Sequence, residues 1–225
     1  IAEKPGDPGV YVGGIDALGR AVLDRSRDVL TASGERIFGR GAMEFSAKRT
    51  SADAVWREVA QSVDSGLDAK LATPAFLETE YVAVVLANRI TTLEQYAKVA
   101  RPGRGVRLSR QQRIAVWKLV EAFRRQSQMD ETLSFPEVLA LASEGLRIQT
   151  ERFGSYLADH VIVDEAQEIG SGMRLESMLA EGAKFGARMF VLAQSLSMMR
   201  KVEGMEPVVQ SMLANTSTQM FFSPD

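Results

Sequence analysis

Val161-Ile162-Val163-Asp164-Glu165-Ala166-Gln167-Glu168 decides how the rest of the chain is read. Three β-branched residues suit a buried strand, and two carboxylates follow at its expected carboxyl end. In a parallel sheet that end opens onto the crevice where ligands bind. Asp164 is placed there to hold a magnesium ion, and Glu165 to orient or deprotonate an attacking water. An acidic helix N-terminus, which the helix dipole favours, is the plainer reading of the same residues.

Working outward, 225 residues suffice for one large domain or two small ones, and 45% hydrophobic content for a core. Cysteine is absent and His160 is the sole histidine, which excludes disulfides, thiolate or histidine-rich metal sites and a Cys-His nucleophile pair. No apolar run approaches the roughly 20 residues of a membrane helix; Tyr81 to Ala87 is among the longest. No signal peptide is visible and the chain opens at Ile1. It is therefore read as a piece of something longer, soluble and cytoplasmic.

The net charge of −2 argues against a uniformly basic nucleic-acid binder, but its distribution is uneven. Nine Lys or Arg stand between Lys98 and Arg125 against one acid, Glu121, so the segment carries 9 − 1 = +8. Arginines recur at every third position: Arg101, Arg104, Arg107, Arg110 and Arg113. In a loop running into a helix they are candidates to follow successive phosphates of a DNA backbone. A solvated basic face is the alternative. Trp117, spaced with Ile114 and Val120, reads as core rather than as a stacking platform.

Val10–Val12 reads as a short strand, followed by a helix with Ile15, Leu18, Val22, Val29 and Leu30 near one face. Residues 33–50, with glycines and mixed charge, read as loop. Cap signals at Ser51, Thr73-Pro74, Thr91 or Thr92, Ser109 and Ser134 then predict successive helices to about Arg147. From Tyr156 the pattern changes to strand His160–Val163, helix Arg174–Lys184 and strand Arg188–Ala193. Helix Pro207–Ala214 and strand Thr218–Phe222 complete it, an alternation that argues a parallel α/β sheet. Gln194 follows the second strand at the edge expected for Glu165, a candidate γ-phosphate sensor or an ordinary strand-end amide. The phosphate cradle is missing, because none of the seven lysines follows a glycine. The missing part is expected upstream of Ile1, and no ATP turnover is expected of the isolated chain.

Two resemblances emerge from particular stretches. Val12–Leu23, Ile90–Tyr96, Gly103–Trp117 and Val161–Gln167 make the segment from about 11 to 167 resemble the first motor domain of UvrD/Rep-type superfamily 1 DNA helicases. Gly14-Ile15-Asp16 stands where Thr-x-His is usual in that family. From about 175 to 225, Glu176–Ser195 and Leu213–Phe222 resemble HerA/TraG-type DNA-pumping ATPases and conjugative coupling proteins. The likenesses meet at Val163–Gln167. They imply an α/β fold, a partial RecA-like P-loop NTPase core with parallel sheet and a large helical insertion. Its parts would be a RecA-like segment and loop at 1–50, a helical subdomain at 51–150 and an α/β segment at 151–225. They also imply part of an ATP-dependent DNA helicase or translocase. Asp164 would ligate the metal, Glu165 and Gln194 would be catalytic, and Gln167 would contact the nucleotide. ATP and Mg2+ would bind only if the phosphate loop were supplied. DNA would be the partner, with oligomers possible on the HerA/TraG reading. A nucleic-acid-binding helical module without ATPase activity is the rival.

Overall fold

Local capping chemistry starts most of the helices. Thr73 accepts from the Phe76 N–H at 3.3 Å, and Pro74 holds the first helical position of the next element. Thr92 and Ser109 each complete a reciprocal capping box, with Gln95 and Gln112, while at Ser134 the backbone N–H and the hydroxyl both donate to Glu137 Oε2 at 2.8 Å. A computed structural model of the chain describes residues 2–41, 52–102, 104–154, 158, 160–163 and 188–191. In chain order the helices are α1 (Ile15–Arg25), α2 (Leu30–Phe38), α3 (Ala52–Ser62) and α4 (Pro74–Glu80). α5 (Leu93–Lys98), α6 (Arg110–Met129) and α7 (Phe135–Phe153) follow. α4 continues without a break into a π-helical stretch, Tyr81–Leu86.

The chain divides into two compact units, Ile1–Leu157 and Ala158–Asp225. In the first, α1 and α2 pack on α7, α3 packs on α4 and α6, and α5 packs on α6. Buried apolar residues from these helices form one core, centred on Trp56, Tyr81 and Phe123. Trp56 stacks on Phe123 with ring centroids 4.0 Å apart, and Tyr81 meets Trp56 edge-on at 5.6 Å. On α1, Gly19 faces α7, and the end of the Leu139 side chain fills the space a Cβ there would need, 2.8 Å from it. In the second unit, β1 (His160–Val163) pairs in parallel with β2 (Arg188–Val191), Val163 opposite Val191.

The expected α/β fold, a partial RecA-like core with a helical insertion, is corrected by this architecture. The described residues are mainly helical, and their only strands are the two four-residue strands β1 and β2. Val10 and Val12 are not a strand; both are exposed and join no sheet. The apolar stripes of α1 and α2 find α7, a helix, where a motor core would offer them a sheet. Residues 1–41 therefore belong to a helical body. The loop expected at 33–50 is helical as far as Phe38, where Gly39 at φ +73° ends α2 in the left-handed conformation. The expected helices Arg174–Lys184 and Pro207–Ala214 and the strand Thr218–Phe222 lie outside the described residues. Among the described residues no helix is long and apolar enough to cross a membrane.

Candidate functional site

Leu77, Glu80, Tyr81 and Val84 fall at i, i+3, i+4 and i+7 along α4 and its π-helical continuation, and all four are buried. That spacing puts one carboxylate on the face that carries the core residues. A buried carboxylate is tolerated only with partners, and Glu80 has three. Arg101 grips it with a two-point fork, Nε to Oε1 at 2.5 Å and Nη2 to Oε2 at 2.7 Å. Arg104 donates from Nε to Oε2 at 3.0 Å, and the Tyr96 hydroxyl donates to Oε1 at 2.7 Å. Burial alone would raise the Glu80 carboxyl above its ordinary value of 4.5. The hydrogen bonds from Arg101 and Tyr96, with the guanidinium charge, prevail and hold it lower.

The two arginines also shape the surface above Glu80. Arg101 donates from Nη1 to the Val106 carbonyl at 2.7 Å, tying down the loop between α5 and α6. Arg104 donates from Nη2 to the Phe76 carbonyl at 3.4 Å, and its guanidinium lies 5.4 Å from the Phe76 ring centre. A cavity of about 290 Å³ opens there, lined by Phe76, Thr79, Arg101, Arg104 and Val106 with neighbouring small residues. Arg113 is engaged elsewhere. Its Nη1 donates to the carbonyls of Tyr96, Ala97 and Val99, at 2.7, 3.3 and 3.0 Å, closing the C-terminus of α5. Of the five arginines in the basic run, Arg107 and Arg110 are exposed. The run is thus not one continuous exposed strip: Arg101 and Arg104 turn inward to Glu80, and Arg113 caps a helix. Sequence reasoning missed Glu80 and Tyr96; an acid among the apolar positions of the α4 stripe was the available signal.

A second carboxylate hub binds the outer helices together. Glu144 on α7 is fully buried and accepts from Arg36 of α2 at 3.1 Å, from Arg89 at 2.6 Å and from Arg147 at 2.6 Å. Burial pushes its pKa up, but bonds from Arg147, Arg36 and Arg89 overcome that and hold it below 4.5. Because the folded pKa values of Glu80 and Glu144 are both depressed, their stabilisation is complete above the unfolded value and is lost as pH falls through the folded one. The melting temperature is expected to hold steady near neutrality and drop below about pH 4.5. Glu144→Gln should shallow that drop, and an equally steep acid limb in the variant would rule out this hub as its cause.

Asp164, Glu165, Gln167 and Gln194 lie outside the described residues. Their described neighbours are β1, which ends one residue before Asp164, and β2, which ends three before Gln194. Among the described residues no group of three or more His, Asp or Glu side chains is arranged to hold a metal ion.

Residues 160–225 match the family model described as the TraM recognition site of TraD and TraG. The match begins two residues into the second compact unit and runs to its last residue. It supports the TraG-type likeness of the C-terminal part; the helicase-type likeness of residues 11–167 has no such support. No curated protein and no solved structure is significantly similar to the chain.

Proposed function

We propose that the chain is a module of a conjugative coupling protein whose second unit docks the protein TraM. The observation that carries this reading is the coincidence of boundaries. The family match, 160–225, fills the compact unit Ala158–Asp225 almost from end to end. A recognition module that is also a compact unit can hold its binding surface together without borrowing residues from the helical body. Titration of the full chain into TraM, followed by calorimetry, tests the proposal. Saturable binding is expected, and heats no larger than dilution would refute it.

A second, finer reading takes the acidic pair as part of an ATP-dependent DNA helicase or translocase, with Asp164 for magnesium and Glu165 as base. Gln167 and Gln194 would stand near the phosphates. What favours it is the parallel register of β1 and β2, because chain segments leaving two parallel strands depart from the same sheet edge. The donor set for a triphosphate is nonetheless incomplete, since no lysine follows a glycine anywhere in the sequence. Hydrolysis is not assigned to this chain. Nucleic acid remains a proposed partner for the exposed Arg107 and Arg110.

A further inference from the structure

We propose that the cavity beside Arg101 and Arg104 is a binding site for a single phosphoryl anion. The argument starts from charge. Arg101 and Arg104 have side chains only 5% and 16% exposed, and both point to the one carboxylate of Glu80. With Glu80 ionised, two cations against one anion leave an excess positive charge in a largely dry place. A desolvated charge without a counter-ion is costly, and two more features mark where the counter-ion goes.

First, the cavity of about 290 Å³ opens on Arg101 and Arg104 themselves. Second, Arg104 is committed through Nε and Nη2, while its Nη1 makes no hydrogen bond among the described residues. A guanidinium with a spare donor pair suits a tetrahedral oxyanion. The Thr79 hydroxyl spends its proton on the Ala75 carbonyl at 2.7 Å, so recognition falls to the arginine. Phe76 and Val106 give the cavity apolar walls for the organic part of a phosphate ester. The Glu144 hub makes the contrast. Its three arginines are 40 to 43% exposed, and Glu151 supplies a second acid, so solvent and protein already balance its charge. The phosphate site rests on the helical unit alone and is independent of TraM docking.

Free phosphate and the phosphates of a nucleic-acid strand present the same chemistry, and the experiment separates them. The full chain is melted in chloride, in inorganic phosphate and with a single-stranded oligonucleotide at matched ionic strength. Tryptophan fluorescence reports the transition. Phosphate at about ten times its dissociation constant should raise the midpoint by about 4 °C. Arg104→Gln should abolish the rise. Thr79→Glu, at an exposed position on the cavity wall, should supply the missing negative charge, raise the midpoint in chloride and abolish the phosphate response. Arg20→Gln, at an exposed position of α1, should leave the response intact. If inorganic phosphate stabilises and both cavity variants lose the effect, a free anion is the ligand. If only the oligonucleotide does so, with the same variant pattern, a strand phosphate is. No response to either, a response that survives Thr79→Glu, or an equal loss in Arg20→Gln overturns the proposal. Should Arg104→Gln fail to fold, Thr79→Glu decides alone.

Discussion

Replacing Glu80 by alanine is expected to cost the helical unit about 3–5 kcal/mol, the toll of leaving a buried ion partner uncompensated. Glu80 is fully buried, and its removal strands the Arg101 guanidinium, of which only 5% of the side chain reaches solvent. The Tyr96 hydroxyl and the Nε of Arg104 lose their acceptors in the same stroke. For a unit of this size the loss amounts to roughly 10 °C in melting temperature. Glu80→Gln should fall between, because an amide keeps the shape and one acceptor oxygen but none of the charge. Thermal melts of the two variants check this. A Glu80→Ala protein that melts within about 2 °C of the parent would show that solvent takes over the role of the carboxylate.

Trp56→Ala should be as damaging for a different reason. Trp56 is fully buried, lies nearly parallel to Phe123 with 9° between the rings, and donates from its indole N–H to Glu78. Truncation removes a large transfer term and leaves a cavity where α3, α4 and α6 converge, about 3–5 kcal/mol for a Trp-to-Ala change. Trp56→Phe should restore most of this by refilling the stack. Urea titration followed through Trp117, the other tryptophan and also in the helical unit, measures both variants. Equal midpoints for Trp56→Ala and Trp56→Phe would mean that ring packing is not what holds α3 to α6.

The helix starts were legible because capping is local: Thr73, Thr92, Ser109 and Ser134 meet their partners within three residues. The two strands were legible for a related reason, β-branched and apolar runs bounded by a change of pattern. What escaped is non-local. An arginine every third residue says nothing of direction, and the partner that turns Arg101 and Arg104 inward stands 21 and 24 residues away. Arg36 and Glu144 are 108 residues apart, so no window of sequence reveals the hub. Gly34 and Gly39 suggested a loop, yet Gly34 sits inside α2, where a Cβ would crowd the Arg40 carbonyl at 3.1 Å, and Gly39 ends the helix. The inference of a motor core failed at the same level. An amphipathic stripe on α1 or α2 specifies that an apolar partner exists, not whether that partner is a sheet or α7.

Hydrogen–deuterium exchange of the full chain, with and without TraM, asks most directly whether the second unit is a docking module. Complex formation should slow exchange in peptides from 160–225 and leave those from 1–157 unchanged. Unaltered exchange throughout 160–225, or protection confined to the helical unit, would contradict it.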